Sequence, residues 1–320
     1  MDGVSEPAAD PPEGVSSRGR RPAADTTTAP VSRTGEFEGR PDIVDKILLG
    51  YLGSITVLVL LNIPRLPDWR VHLVANAFVI AVVVLIAGIH AVTRHSVAAF
   101  VHAFYPVVLL MWLYPQTGLL RHAVIARDLD DVVAGWDLAL FRVEWYRVLP
   151  AALDVLSLEL LHAVYFLYYG SLGLFAMAAF SKQRRLVGVY VFSLMTTMVV
   201  HMWFLMLFPA SGPVSLRQHM IPDGVLFIPV MNLIYGNMDQ GGGAFPSLHA
   251  AGAVMASLFA CRFFPRWKLP ILFFLMGVLV STVACSFHYP IDTMGGTLTG
   301  LLCYRLVPRL HPCAGQEPSA

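Results

Sequence analysis

Two histidines and one aspartate in the C-terminal half of the chain have the residue types and spacing for phosphoryl chemistry. His249 follows the run Gly-Gly-Gly-Ala-Phe-Pro-Ser-Leu, and His288 precedes Asp292 by four residues. A neutral imidazole can attack phosphorus, and a carboxylate on its other ring nitrogen fixes the tautomer and stabilises the cation that forms. A second, protonated histidine can donate a proton to the leaving oxygen. These three residues are therefore the candidate catalytic residues.

The segments around these residues are predicted to bring them together. Two apolar runs separated by the basic turn 262–268 join His249 to His288, and each is long enough to cover roughly a bilayer core. Both histidines are then expected at the same membrane face. His288 and Asp292 share a helix face if that turn is helical; alternatively the helix starts at Pro290, because proline suits a first turn.

The start of the helix that carries His249 is predicted to contact the substrate. Ser247 and Leu248 follow three glycines and one proline, and a helix that begins there leaves backbone N–H groups pointing outward. Such groups suit a phosphate. We therefore expect Ser247 and Leu248 to be substrate-binding residues.

Two motifs resemble those of a known family. They are Phe245-Pro246-Ser247-Leu248-His249-Ala250-Ala251 and His288-Tyr289-x-x-Asp292-x-x-Gly295-Gly296. They resemble the second and third motifs of the type 2 phosphatidic acid phosphatase superfamily, in its inositol phosphorylceramide synthase-like branch. The resemblance covers roughly residues 125–308. It implies that His288 is the nucleophile, Asp292 its orienting carboxylate and His249 the acid, within a six-helix core.

The chain departs from the superfamily pattern at two points. Thr282 stands where the superfamily often carries an arginine, and the first motif, Lys-x6-Arg-Pro, is absent. Both departures resemble the synthase-like branch, and they leave open which cation binds the phosphate. Arg217 is the sole cation of the long segment 209–245, and arginine is suited to bidentate phosphate binding. We predict Arg217 as the ligand, with Arg121 and Arg127 as substitutes.

Composition indicates an integral membrane protein. The chain is 56% hydrophobic and 13% charged, and its mean hydropathy is +0.64. The net charge of +1 gives no support for a nucleic-acid partner. Eight apolar segments predict an all-α polytopic bundle of about eight transmembrane helices; they fall at about 44–63, 71–92, 97–118, 154–180, 186–208, 247–264, 270–287 and 290–308. Gly295, Gly296 and Gly300 in the last segment would allow close helix packing.

Basic residues predict the orientation of the bundle. Turns 181–185 and 262–268 are rich in lysine and arginine and are therefore expected in the cytoplasm. Both termini then lie inside, and the candidate catalytic residues face outward or into a lumen. Residues 1–42 are predicted to be a disordered cytoplasmic tail, and residues 309–320 a short C-terminal tail. The membrane would be a bacterial plasma membrane or one of the eukaryotic secretory pathway.

Two parts lie between the two tails in this interpretation. Residues 43–120 form N-terminal transmembrane helices, and residues 121–308 form a phosphatase- or phosphotransferase-like membrane domain. Within that domain, residues 121–150 are an interfacial segment on the outer face, and residues 209–246 are an outer loop that folds over the site. Asp128 and Asp131 are candidate metal ligands, but a solvated acidic face is the favoured interpretation, so no metal or cofactor is predicted.

Buried histidines elsewhere are expected to have structural roles. An isolated histidine in an apolar run is more often a hydrogen-bonded core residue than a catalytic one. This applies to four positions: His90, His102, His162 and His201.

The predicted function is metal-independent phosphoryl transfer on a membrane lipid through a phosphohistidine-type intermediate. The donor would be a phospholipid, either a phosphodiester or a phosphomonoester, and we expect transfer to a lipid or polyol hydroxyl. Water as acceptor would make the protein a lipid phosphate phosphatase, which stays open. A transporter or channel with a His/Asp relay is an alternative of a different class. Its relay residues would be spread through the membrane, whereas the candidates here cluster at one face.

Overall fold

The described residues of the computed structural model are 42–93, 95–238 and 241–312. Only Asp42 of the predicted N-terminal tail is among them, and residues 313–320, with Cys313, also lie outside the described residues. The α-helices in these ranges are α1 (Ile43–Leu61), α2 (Trp69–Val92), α3 (Ser96–Leu119), α4 (Asp130–Phe141), α5 (Trp145–Ala152), α6 (Val155–Leu207), α7 (Val214–Arg217), α8 (Phe227–Met238), α9 (Leu248–Phe263), α10 (Lys268–Ala284) and α11 (Pro290–Leu306). No strand occurs in the same ranges.

The helix lengths confirm the all-α polytopic bundle. Five helices in the described ranges are long and apolar enough to cross a membrane: α1, α2, α3, α6, and α10 with the turn before it. The 53-residue α6 has a non-helical backbone at Gln183, so it consists of two spans joined by a kink. The shorter α9 and α11, of 16 and 17 residues, pack alongside them. Counting α6 twice, eight helical segments lie at the positions of the eight predicted spans, and α9 and α11 are the two that are too short to be counted among the membrane-crossing helices.

The two basic turns lie at the same end of the bundle. The side chain of Gln183, at the kink of α6, donates a hydrogen bond to the carbonyl of Phe263 at the end of α9, over 3.0 Å. We call this end, with residues 181–185 and 262–268, the basic end. Helix α9 is about 24 Å long at 1.5 Å per residue, so its first residues lie at the opposite end, which we call the site end.

Close packing of α9 and α11 depends on two glycines. A Cβ built at Gly296 would collide with the backbone carbonyl of Ser247, and one at Gly300 would lie 2.9 Å from the Cα of Ala251. Any side chain at either position would push the two helices apart. His201 adds a polar link, since its Nε2 lies 2.8 Å from the hydroxyl of Thr299 and its Nδ1 contacts a carbonyl of its own helix.

Buried polar contacts hold the N-terminal helices together. Asp45 on α1 accepts a hydrogen bond from the hydroxyl of Tyr105 on α3, and its carboxylate lies 3.0 Å from Nε2 of His102. The amide of Gln116 on α3 donates to Asn76 on α2 over 2.7 Å. These residues are shielded from solvent, so each contact satisfies a polar group that would otherwise be costly to bury.

The segments predicted at the outer face lie at the site end. The N–H of Leu129, just before α4, donates to the carbonyl of Pro209 over 2.7 Å. Glu159 on α6 accepts three backbone N–H groups from residues 225–227, at 2.5 to 2.9 Å. A carboxylate there satisfies the unpaired donors at the start of α8. The loop between α6 and α9 is thus fastened to the bundle at several points.

Chemical labelling tests which end of the bundle is outside. Ser215 at the site end and Ser181 at the basic end are both exposed. In a background without Cys261, Cys303 and Cys313, an impermeant maleimide added to intact cells should modify Ser215→Cys and leave Ser181→Cys unmodified. Permeabilised cells provide the control, because both cysteines should then react. Labelling of Ser181→Cys alone in intact cells would invert the orientation.

Candidate active site

His249 is positioned by the N-terminus of α9. Ser247 is the N-cap residue, and its hydroxyl accepts the N–H of Ala250 over 3.2 Å. Serine is favoured at this position because its side chain satisfies a donor that the helix leaves unpaired. His249 follows in the first turn, and only 4% of its surface is exposed. The three predicted residues Ser247, Leu248 and His249 therefore share one turn.

His288 lies in the short loop between α10 and α11. The carbonyl of Thr282 accepts the N–H groups of both Phe287 and His288, at 3.0 and 2.9 Å, which ends α10. Ser286 has a left-handed backbone, with φ of 56°, and turns the chain back. Helix α11 then begins at Pro290. The interpretation in which this helix starts at Pro290 is therefore confirmed, and His288 precedes it.

The structure brings the three candidate side chains together. Nε2 of His288 lies 3.3 Å from Nδ1 of His249 and 3.1 Å from the hydroxyl of Ser247. Nδ1 of the same ring lies 3.6 Å from Oδ2 of Asp292, which is ion-pair range and slightly long for a hydrogen bond. Asp292 is on the far side of His288 from His249. A carboxylate there favours the Nδ1–H tautomer and leaves the Nε2 lone pair facing His249.

Asp292 connects the two motifs. Its Oδ2 accepts the N–H of Tyr289 over 2.8 Å, and its backbone carbonyl accepts the N–H of Ser247 over 2.9 Å. Within the described residues, Nδ1 of His288 and Oδ1 of Asp292 are buried without a hydrogen-bond partner. A movement of a few tenths of an ångström would bring Nδ1 of His288 within hydrogen-bond distance of Oδ2 of Asp292, and catalytic hydrogen bonds often tighten only when substrate is bound.

The family-model comparison covers these residues. The model of the PAP2 superfamily matches residues 137–306, which is more than half of the chain. The chain belongs to the PAP2 superfamily. This confirms the resemblance drawn from the two motifs.

Curated relatives match a shorter part of this chain. The inositol phosphorylceramide synthase catalytic subunits of Schizosaccharomyces pombe and Saccharomyces cerevisiae are 32% and 30% identical, over 69 and 89 residues. The inositol phosphorylceramide synthase of Candida albicans is 30% identical over 98 residues. These matches cover 22 to 29% of this chain and 16 to 22% of the relatives' length. The chain thus aligns with about a fifth of each relative. No solved structure matches.

Thr282, at the position where the superfamily often has arginine, has a structural role in this PAP2 protein. Its hydroxyl lies 2.7 Å from the hydroxyl of Thr293 on α11, and it is fully buried. Its carbonyl also holds the backbone of His288. Thr282 therefore positions the nucleophile candidate and does not supply a charge.

Two aspartates of the outer segment contact the site, and sequence reasoning missed their role. Oδ1 of Asp130 accepts the N–H of Gly212 over 2.7 Å, and Oδ1 of Asp137 accepts the N–H of Ile291 over 2.9 Å. Gly212 has a positive φ of 73°, and a Cβ there would lie 3.2 Å from the carbonyl of Phe287. Asp137 thus holds the backbone next to Asp292, and Asp130 holds Gly212, which lies against the residue before His288.

Asp137 is buried, with 2% of its surface exposed, whereas Asp128 and Asp131, for which a solvated face is predicted, are both exposed. Burial raises the pKa of Asp137 to about 6, with the charges of Asp292 and Glu144 adding to the shift and the N–H of Ile291 opposing it. The carboxylate is buried because α4 packs against α11. In the sequence, the available indication of this burial was the position of Asp137 beside Trp136 in an otherwise apolar stretch. Asp128, by contrast, is at the surface, 2.9 Å from Nε2 of His122.

Arg217 lies beneath the loop that carries His288. Its Nε donates to the carbonyl of Cys285 over 3.0 Å, and its guanidinium lies 4.6 Å above the ring of Phe287. Further contacts are to Asn232 and to Nε2 of His162. Burial lowers the pKa of Arg217. These contacts are all with protein groups, so binding of the substrate by Arg217 stays a prediction.

Arg121 lies beside the glycines that lead to Ser247. A Cβ at Gly242 would be 2.8 Å from Cβ of Arg121, and one at Gly243 would be 2.6 Å from the hydroxyl of Tyr114. The ring of Tyr114 is 5.6 Å from that of His249. Because these glycines have no side chains, Arg121 and Tyr114 can pack directly against the backbone that leads to Ser247. Arg127 is exposed.

The buried Asp137 carboxylate predicts a pH-dependent stability. A raised pKa means that the folded protein holds this proton more tightly than the unfolded chain, so stability falls as pH rises from about 4 to 6. Asp137→Asn removes the charge and keeps an acceptor for Ile291. Its Tm in detergent should exceed that of the parent by about 3 °C or more at pH 7.5, and the gain should shrink at pH 4.5.

The exposed Asp131 supplies the matched control. Asp131→Asn makes the same change of charge on the same helix and should shift Tm by a similar small amount at both pH values. A loss of stability in Asp137→Asn that is equal at pH 7.5 and 4.5 would contradict the assignment of a buried carboxylate that titrates near pH 6.

Proposed function

We propose that this PAP2 superfamily protein is a membrane lipid phosphotransferase that uses His288 as nucleophile and His249 as acid and base. The observation that carries the proposal is the 3.3 Å contact between Nε2 of His288 and Nδ1 of His249, with Asp292 behind the nucleophile. The site would lie at the outer or luminal face, because the basic turns occupy the other end of the bundle.

The first step would form a phosphohistidine. Nε2 of His288 attacks phosphorus, and the bond from phosphorus to the leaving alcohol breaks. Protonated His249 gives its proton to that oxygen, while Asp292 stabilises the positive charge on the His288 ring. Reacting atoms need about 3 to 3.5 Å between them, so the substrate must displace the direct contact between the two rings. Backbone N–H groups at Ser247 and Leu248, at the start of α9, would contact the phosphoryl oxygens.

The second step would transfer the phosphoryl group to an acceptor. Neutral His249 takes the proton of the acceptor hydroxyl, whose oxygen attacks phosphorus, and the bond to Nε2 of His288 breaks. Both histidines return to their starting states. A phosphodiester donor carries one charge fewer than a phosphate monoester. The threonine at position 282 is consistent with such a donor, because a terminal phosphate would benefit from an additional cation.

Transfer is favoured over hydrolysis by two further observations. Hydrogen bonds hold the outer segments around α4 and α8 against the site end of the bundle. In that position they would shield the intermediate from water. In addition, the curated relatives are named inositol phosphorylceramide synthases. Together they favour a phospholipid donor, such as an inositol phospholipid, and a lipid acceptor, such as ceramide.

Replacing the two histidines should separate their roles. His288→Asn should lower turnover by at least about 10³-fold, since no nucleophile remains. His249→Gln should lower it by about 10²- to 10⁴-fold with a lipid donor, and much less with a p-nitrophenyl donor, which needs little protonation. The measurement is product formation by purified enzyme. His219→Asn, an exposed histidine in the outer loop, is the control; full activity in His288→Asn would rule out the mechanism.

A competition assay distinguishes transfer from hydrolysis. Purified enzyme is given a radiolabelled inositol phospholipid with ceramide or diacylglycerol, and in parallel labelled phosphatidic acid. We expect labelled head group on the acceptor lipid to form faster than inorganic phosphate is released. Dominant release of phosphate, unaffected by any acceptor, would show that the protein is a lipid phosphatase.

A further inference from the structure

An apolar cavity of about 570 Å³ lies between α3 and α6 and ends at the candidate active site. Its volume is within the range of sites that bind small molecules. Its walls are almost entirely hydrocarbon and aromatic, with side chains such as Phe104, Val107, Tyr168, Met198 and Leu248. The catalytic contacts described above do not account for it.

The cavity connects the bilayer-facing surface with the protein interior. Val108 and Met111 on α3 and Leu174 on α6 line its outer part, and 59 to 65% of their surface is exposed. Tyr168 and Met198 line its inner part and are at most 1% exposed. Because α3 and α6 are membrane-spanning helices, the exposed part faces lipid chains. A molecule would therefore enter sideways from the bilayer.

The inner end of the cavity reaches His249 from the side away from His288. The hydroxyl of Tyr169 lies 3.5 Å from Nε2 of His249, whereas Nδ1 of that ring faces His288. Tyr114, Tyr169 and His249 are among the few polar side chains at the cavity wall. An occupant would thus have its apolar part in the cavity and a polar end beside the acid and base.

We propose that this cavity binds one hydrocarbon chain of a lipid alcohol, which is the leaving group of the first step and the acceptor of the second. The inference rests on the proposed function. His249 protonates the leaving oxygen and deprotonates the acceptor oxygen, so the two alcohols must occupy the same place beside it. A free polyol there would bury hydroxyl groups without hydrogen-bond partners, which is costly. The acceptor is therefore a lipid alcohol.

The proposal gives α3 a function in selecting the lipid. The family match begins at residue 137, so α3 lies outside it. A lipid chain gains little by leaving a bilayer for an equally apolar cavity. Selection among lipid alcohols would then depend on the shape of the wall that α3 contributes, through residues such as Val107 and Met111.

Photo-crosslinking tests occupancy without requiring activity. The full chain, purified in lipid nanodiscs, is irradiated with a diacylglycerol whose acyl chain carries a diazirine, and the modified peptides are identified by mass spectrometry. We expect adducts at the buried Tyr168 and Met198, which lipid outside the protein does not reach. Adducts confined to exposed positions, such as Leu85 on α2, would overturn the proposal.

Cavity-filling variants make the test specific. Val107→Trp and, as a second variant, Leu110→Phe should each reduce adducts at Met198 at least about fivefold while the protein keeps its thermal unfolding transition. Leu85→Trp places the same indole ring on an exposed surface of α2 and should leave those adducts unchanged. Undiminished adducts at Met198 in both folded cavity variants would overturn the proposal.

Comparison with the transfer assay separates this inference from the proposed function. Adducts at Met198 in a protein without transfer activity would retain the cavity as a lipid site and reject the phosphotransferase. Transfer activity without adducts at Tyr168 or Met198 would retain the phosphotransferase and reject the cavity as the place of the lipid alcohol.

Discussion

The close approach of α9 and α11 is the constraint on which the candidate site depends. Gly296 and Gly300 leave no room for a side chain against Ser247 and Ala251, so the two helix backbones are in contact. The carbonyl of Asp292 can then accept the N–H of Ser247, which joins the turn that carries His249 to the turn that carries His288. Without this contact the two imidazoles would belong to separate helix ends at no fixed distance.

The candidate site also requires that the irregular loop between α10 and α11 is held in one conformation. The backbone between α10 and α11 must end one helix, turn through a left-handed residue and begin another within six residues. The carbonyl of Thr282 holds one side of this loop, and the carboxylate of Asp137 holds the start of α11 through the N–H of Ile291. The carboxylate of Asp130 holds Gly212, which packs against the loop at Phe287. Acidic residues that look like a surface feature thus provide the acceptors that a buried loop needs.

The surroundings of His249 differ on its two sides. One ring nitrogen faces His288 and the polar turn at Ser247, whereas the other lies beside Tyr169 and an apolar cavity open to the bilayer. An enzyme that joins a charged head group to a lipid needs both environments within a few ångströms. Helix α3, which lies outside the family match, provides part of the apolar surroundings of His249.

The sequence alone determined the fold class, the positions of the long helices and the three residues that meet at the site. Long apolar runs leave a bilayer-crossing helix as the only way to satisfy the backbone, and the connection from His249 to His288 has the length of two spans. Family membership also followed from two short motifs. These features depend on local composition and spacing, which a linear sequence contains.

The tertiary structure decided the contacts that depend on packing between distant segments. The way in which the outer segments fold back on the bundle determines three such contacts. They are the burial of Asp137 against Ile291, the position of Arg217 under Phe287 and the position of Arg121 along Gly242. A charged residue in an interfacial segment has the same local pattern whether it faces water or caps a buried helix. The cavity beside His249 is likewise formed by α3 and α6, which are separate in sequence, and only their packing creates it.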